Sequence, residues 1–245
     1  MPAATLRFYE ELNDFLPPVR RKQDFEAVFK GRESVKDMIE GLGVPHTEVD
    51  LILVNGVSVD FEYILQNRDR VSVYPVFESL DIRNVTHLRE VPLRETRFIA
   101  DVNIGDVVKC MRALGLDVYC DSTLSPRDII RISLEEKRTI LTKSRNLLKH
   151  REVVRGIYIR PGTTVQQIRR IIDFLSLREI VVPFSRCLVC NSSLVKVSKE
   201  SVWERIPPKA RNFYDDYSSC SVCGRIYWQG GHFARIKKVV DEILA

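Results

Sequence analysis

The chain has 245 residues, enough for two domains each with its own core, although that length also fits a single domain. Its 44% apolar and 29% charged residues are those of an ordinary folded protein, and no low-complexity tract or internal repeat points to disorder or a repeat array. The net charge of +5 is too mild to identify a polyanionic partner; Met1 to Leu12 lacks a secretory signal and no apolar run could span a bilayer, so a cytoplasmic protein without a membrane role is expected.

From the amino terminus, Leu6 and Phe8 and then Phe25, Ala27 and Phe29 alternate in the manner of half-buried strands, with Pro17-Pro18 between them. Ser34-Val35-Lys36-Asp37 reads as a helix start, Met38, Ile39 and Leu42 share one face, and Gly43 ends the helix. Asn55-Gly56 is a tight-turn signal between Asp50–Val54 and a following strand with Val57, Val59 and Phe61. Arg70 to Val76 gives one more strand. Two strands, a helix and further strands make an α+β domain of β-grasp type over 1–78, and the polar stretch 79–96 reads as a linker.

Strand and helix signals then alternate. Strands are expected at 97–100, 117–120, 139–142 and 153–159. Helices are expected after Asp101, ending at Gly115; from Ser125-Pro126 through Glu136; and over 164–175. This predicts an α/β domain over 97–183 with a mostly parallel sheet. Ligands of such sheets bind beyond the carboxyl ends of the strands, where Asp101, Asp121 and, in the next helix, Asp128 fall. Carboxylates there suit Mg²⁺ or Mn²⁺ and hydrolysis of a phosphodiester, though an aspartate at such a position is equally a helix cap.

Cys187-Leu188-Val189-Cys190 and Cys220-Ser221-Val222-Cys223 lie in the last segment, 184–245. A two-residue spacer lets one turn aim two thiolates at one ion, so the pairs predict a closed structural Zn²⁺ site in a zinc ribbon, with a basic helix from about His232 to follow. Cys110 and Cys120 lie in apolar stretches and read as buried thiols. Arg225, Tyr227, Trp228, His232 and Arg235 gather around the second pair, where cations and aromatic planes could meet RNA; packing of the ribbon and a solvated helix face are the competing readings.

Two resemblances extend this reading. SVKDMIEGLGVPHTEVDLILVNG with DRVSVYPV resembles the ubiquitin-like sulfur carriers of the ThiS and MoaD type, but Val76-Phe77-Glu78-Ser79 stands where they end in Gly-Gly. The carrier chemistry is therefore not expected, and a scaffold or protein-docking role is. FIADVNIGDVVKCMRALGLDVY, RDIIRISLEEKRTILTKSRNLL, FSRCLVCN and CSVCGRIYWQGGHFARI resemble the Mut-seven C-terminal RNase family, a PIN-like domain with a zinc ribbon that also occurs fused to a β-grasp domain. The resemblance implies a metal-dependent ribonuclease acting on structured RNA, tRNA being one candidate, with Asp101 and Asp128 at acidic positions of the site. The family carries aspartate where this chain has Ser144 after Thr142-Lys143, and Asp121 or Asp106 are the candidates to compensate. The alternatives are a catalytically silent RNA-binding or ribonucleoprotein subunit, and an adaptor that recruits a protein partner through the β-grasp domain.

Overall fold

The computed structural model describes residues 1–75 and 96–245, so the expected linker at 79–96 lies almost wholly outside the described residues. The chain divides into two compact units, 1–94 with 142–158 and 95–141 with 159–245.

In the first unit, β1 (Ala3–Phe8), β2 (Phe25–Val28), α1 (Val35–Gly41), β3 (Val49–Val54), β4 (Val57–Ser58) and β5 (Arg70–Pro75) follow the expected order. The sheet runs β2-β1-β5-β3-β4, with β1 and β5 parallel at its centre and the other pairs antiparallel, the mixed sheet of a β-grasp domain. Ser34 caps α1 by accepting the Asp37 N–H, and Asn55 and Gly56 both hold positive φ, the primed turn that matches strand twist. The strand after this turn is shorter than the alternation through Phe61 suggested: β4 ends at Ser58, while Val59 still donates its N–H to Ile52 O of β3 and, with Phe61, packs against the core. Leu6, Phe8, Leu12, Ile39, Ile52 and Val73 fill that core.

The second unit begins with β6 (Arg97–Ala100), α2 (Gly105–Ala113), β7 (Asp117–Tyr119), α3 (Pro126–Glu135) and β8 (Thr139–Thr142). β6 lies between β7 and β8 and is parallel to both, as expected for an α/β sheet. Next come α4 (Arg145–Leu148) and β9 (Gly156–Tyr158), both in the segment that clusters with the first unit, and then α5 (Thr164–Phe174) back in the second. Helices α3 and α5 both open with a capping box, Ser125 with Asp128 and Thr163 with Gln166. The ribbon adds β10 (Leu194–Val197), α6 (Pro208–Phe213), β11 (Tyr217–Cys220) and β12 (Ile226–Trp228), and α7 (Gly231–Leu244) closes the chain. Its three strands form an antiparallel sheet in the order β10-β11-β12 over a small core of Val202, Ile206, Ala210 and Tyr217. No helix among the described residues is long and apolar enough to cross a membrane.

Gly115 ends α2 at φ +86°, and a Cβ built there would lie 2.2 Å from the Val182 carbonyl oxygen. Backbone strain and overpacking then act together. Gly115→Ala is expected to lower stability by about 2–4 kcal/mol, and a melting temperature within a degree of the parent's would contradict this account of the close approach.

Candidate functional site

Four thiols converge in the second unit. The Sγ atoms of Cys187, Cys190, Cys220 and Cys223 all lie within 4.8 Å of one another, and among the described residues they are the one group of three or more His, Cys, Asp or Glu placed closely enough to hold a metal ion. The shortest separations, Cys190–Cys220 at 3.3 Å and Cys187–Cys223 at 3.5 Å, are far beyond a disulfide of about 2.05 Å and near the edge of about 3.8 Å that a tetrahedron with Zn–S of about 2.3 Å requires. Each pair folds as a knuckle in which the second cysteine's N–H points at the first cysteine's Sγ, Cys190 to Cys187 and Cys223 to Cys220, both at 3.5 Å. The thiols therefore could hold a zinc ion, and their number and softness fit a closed structural site.

In the first knuckle the surroundings favour thiolate; in the second, a backbone bond from Arg225 lowers Cys223 but burial and the neighbouring thiols outweigh it and push Cys223 up to about 12. Burial pushes Cys190 upward, but hydrogen bonds with the Ser192 backbone and hydroxyl and with the neighbouring thiols outweigh it and bring Cys190 down to about 6. Tyr227 serves the first knuckle: its hydroxyl accepts the Leu188 N–H at 3.1 Å and lies 3.1 Å from Cys187 Sγ. Burial, followed by that contact with Cys187, raises the Tyr227 phenol above its ordinary range. A phenol that stays protonated can donate to the sulfur, as thiolate ligands commonly require.

The first knuckle is fastened to the α/β sheet by groups that the sequence did not single out. Arg112, buried in α2, donates from Nε to Val118 O at 2.9 Å and from Nη1 to the knuckle carbonyls of Leu188 and Val189 at 3.2 and 2.7 Å. Asn191, at φ +70°, accepts the Val118 N–H at 3.0 Å and donates to Asp117 Oδ1 at 2.7 Å. Asp117 also receives Arg138 Nη1 at 2.7 Å and faces Arg186 Nη2 at 3.8 Å. Burial works against its charge, but the bonds from Arg138 and Asn191 and the two guanidinium charges prevail and hold its carboxyl below the usual carboxylate range.

A cleft of about 1280 Å³ opens beside the knuckles. Lys109, Arg112, Arg186, Lys196, Arg205 and Arg225 line it, with His232 and the rings of Phe184, Tyr217, Tyr227, Trp228 and Phe233, against a single carboxylate, Asp216. Of the five residues expected to meet RNA, Arg225, Tyr227, Trp228 and His232 border this space; Arg235 does not, and its Nε turns back to Gly231 O. The competing packing reading also has its share, because Trp228 packs on the ribbon core. Lys109 is an addition the sequence did not flag; its ammonium donates to His232 Nε2 at 3.4 Å.

Cys120, the residue after β7, lines the cleft with its Sγ 4.0 Å from Asp101 O, while Asp101, Asp121, Asp128 and Ser144 are not among the lining residues. Asp101 caps the turn 102–104 by accepting the Asn103 N–H at 2.8 Å. Asp121 Oδ1 accepts the Thr123 N–H and hydroxyl, which lowers its carboxyl. Asp128 Oδ2 accepts the Ser125 hydroxyl at 2.6 Å and N–H at 3.0 Å, which lowers its carboxyl too. All three thus serve local caps, and the described residues do not gather them into a close-set metal group. Asp106 lies in the first turn of α2, where it raises the pKa of Cys110 behind the larger effect of burial. Ser144 lies in the first unit and caps α4, accepting the Leu147 N–H at 3.2 Å.

A family model described as Mut7-C RNAse domain matches residues 96–240, and one described as Mut7-C ubiquitin matches residues 1–81. No curated protein and no solved structure gives a significant match.

Two outcomes follow from this geometry. Purified protein should carry one zinc per chain by elemental analysis, and Cys187→Ser should lose both the metal and several kcal/mol of stability, on the order of what a structural zinc supplies. Metal-free protein that melts like the parent would contradict this. The second concerns Asp117, whose depressed folded-state pKa makes its contribution full above the unfolded value of about 4 and lost as pH falls through the folded value. Asp117→Asn should therefore be less stable than the parent by about 3 kcal/mol near neutrality, with the gap closing below about pH 4; a gap independent of pH would sink the assignment.

Proposed function

This chain belongs to the Mut7-C RNAse domain family, and from that membership we propose that it is a metal-dependent ribonuclease that binds structured RNA, tRNA being one candidate, in the basic cleft of its second unit. The observation that carries the reading is the cleft lining of six lysine and arginine side chains and several aromatic rings against one carboxylate. Cations neutralise phosphates, and aromatic or guanidinium planes accept unpaired bases. In this reading Arg225 and Lys109 meet phosphates, Tyr227 and Trp228 offer faces to bases, and His232 and Arg235 extend the surface along α7.

Cleavage is assigned to the carboxyl ends of β6 and β7, which reach the cleft through Cys120. Asp101 and Asp128 would hold Mg²⁺ or Mn²⁺ with Asp121 assisting, because hard cations take carboxylate oxygens. When bound, such an ion supplies an activated water and neutralises charge on the phosphate. The protein's own part is to present these carboxylates, those of Asp121 and Asp128 lowered by their local hydrogen bonds, and to hold the RNA backbone against the cationic wall. For Ser144 the support is the sequence resemblance, in which a hydroxyl replaces a ligand that would bring negative charge. The zinc ion is structural, held by Cys187, Cys190, Cys220 and Cys223, and reduced thiols suit a cytoplasmic setting.

The capping bonds of Asp101, Asp121 and Asp128 favour a second reading, an RNA-binding subunit without cleavage, in which these carboxylates are purely structural. The ubiquitin match supports protein interaction through the first unit, whichever reading holds.

Incubation with total cellular RNA under Mg²⁺ or Mn²⁺, with end mapping, separates the readings. Asp101→Asn should abolish cleavage and Ser144→Asp should raise it by roughly tenfold or more by restoring a charged ligand. Brisk cleavage by the parent with no gain in Ser144→Asp would show that the charge comes from elsewhere. Arg225→Ala and Lys109→Ala should each weaken RNA binding and reduce the salt slope by about one unit or slightly less. Unchanged affinity and slope in both would move the RNA away from this cleft.

A further inference from the structure

The segment 142–158 is matched as part of the RNAse domain, yet it packs with the first unit. The turn 46–48, immediately before β3, receives it. His46 and Glu48 are 6% and 7% exposed there, and a buried polar group is strongly unfavourable without partners. His46 Nε2 lies 2.8 Å from Val153 O and Nδ1 lies 2.6 Å from Glu40 Oε1; a carbonyl can only accept, so Nε2 carries the proton of that bond. Glu48 Oε1 accepts the Tyr158 N–H at 2.7 Å. Lys149 Nζ donates to Glu40 O at the end of α1.

Arg145 makes the fourth link. Its guanidinium carbon lies 4.9 Å from the Phe15 ring centroid and 5.3 Å from that of Tyr158, and Nη1 donates to Phe15 O at 3.3 Å. Phe15 belongs to the β-grasp core, so the cation is held by a rigid partner. Arg145 is also the first residue of α4, and the residue before it, Ser144, caps that helix and donates its own N–H to Thr142 Oγ1 at 2.9 Å. Whatever fixes Arg145 therefore fixes Ser144.

We propose that the β-grasp unit acts as a clamp in cis: Phe15 and the 46–48 turn bind the chain's own residues 142–158 and thereby position Ser144. The occupant of this face is an internal segment, which leaves other faces of the unit for any partner protein. Arg145, His46 and Glu48 are positioning residues, acting through the segment that carries Ser144. The clamp is independent of the nuclease reading; only its effect on cleavage rests on it.

The test is hydrogen exchange on the full chain, comparing the parent with the His46→Ala/Glu48→Ala double variant and with Arg145→Lys, which keeps the charge and loses the flat stack. Amides of 143–158 should exchange about tenfold faster or more in the double variant and about threefold faster in Arg145→Lys, with 97–141 and zinc content unchanged. Unchanged protection of 143–158 in both variants overturns the clamp. Uniform loss of protection along the chain also overturns it, since that would mean one cooperative body and not a local grip. If the double variant does not fold, Arg145→Lys decides alone. In parallel, the gain in RNA cleavage expected of Ser144→Asp should shrink when Arg145→Lys is added to it, with KM unchanged. Faster exchange with that gain intact would keep the clamp and take the placement of residue 144 out of the reaction, whereas absent cleavage in the parent and in Ser144→Asp would bear on the nuclease reading and leave the exchange result standing.

Discussion

Four sulfur atoms within one small sphere set the terms for the second unit. Thiols without a metal or a disulfide have little reason to converge, and here each pair arrives on a knuckle whose backbone N–H groups turn inward to the sulfurs. The first knuckle is then tied to the edge strand β7: Arg112 reaches the knuckle carbonyls and donates to Val118 O, and Asn191 Oδ1 accepts the Val118 N–H, the two backbone groups that β7 would otherwise pair with another strand. Asp117 completes the join between Arg138 and Asn191. A metal at the cysteines would thus act on more than the ribbon, since ordering the knuckle also covers a strand edge of the α/β sheet.

The same join explains why the cleft is basic. Arg112 and Arg186 are there first for structural reasons, spanning helix, strand and knuckle with five-donor guanidinium groups that no lysine could replace. Their remaining charge, together with Lys109, Lys196 and Arg225, gives a concave wall of one sign beside aromatic faces. In the proposed reading structure and recognition draw on the same side chains, so substitutions at Arg112 or Arg186 would confound the two, and the more exposed Lys109 and Arg225 separate them.

Signals that are local in sequence were legible. The capping serines, the Asn55-Gly56 turn, the glycines that end α1 and α2 and the two CxxC spacings each act within a few residues, and each appears where the spacing put it. Short α4 and α6 carry too little periodicity to read, and the alternation beyond Ser58 reflects core packing of Val59 and Phe61 more than continued strand pairing. The ties that join Arg112 and Asp117 to the knuckle and Asn191 to β7 were not legible, since those partners lie 70 or more residues apart along the chain. Asp101 and Asp128 were readable equally as ligands and as caps, and both do cap. Lys109 escaped notice because a cleft gathers cations that are scattered in sequence.

Because residues 142–158 belong to the first unit and 159–245 return to the second, neither unit is a continuous stretch of chain. During synthesis the β-grasp sheet can form once β5 has emerged, but the partners of His46 and Glu48 arrive only with Val153 and Tyr158. The second unit waits longer still, for Cys220 and Cys223 and then for α7 at the very end. Its early strands must therefore persist with an uncovered edge while about a hundred more residues are made, an interval on the order of 5–20 seconds at ordinary elongation rates. That interval is when this chain is most open to mispairing, and a metal taken up by the cysteines at its close would set how soon the exposure ends.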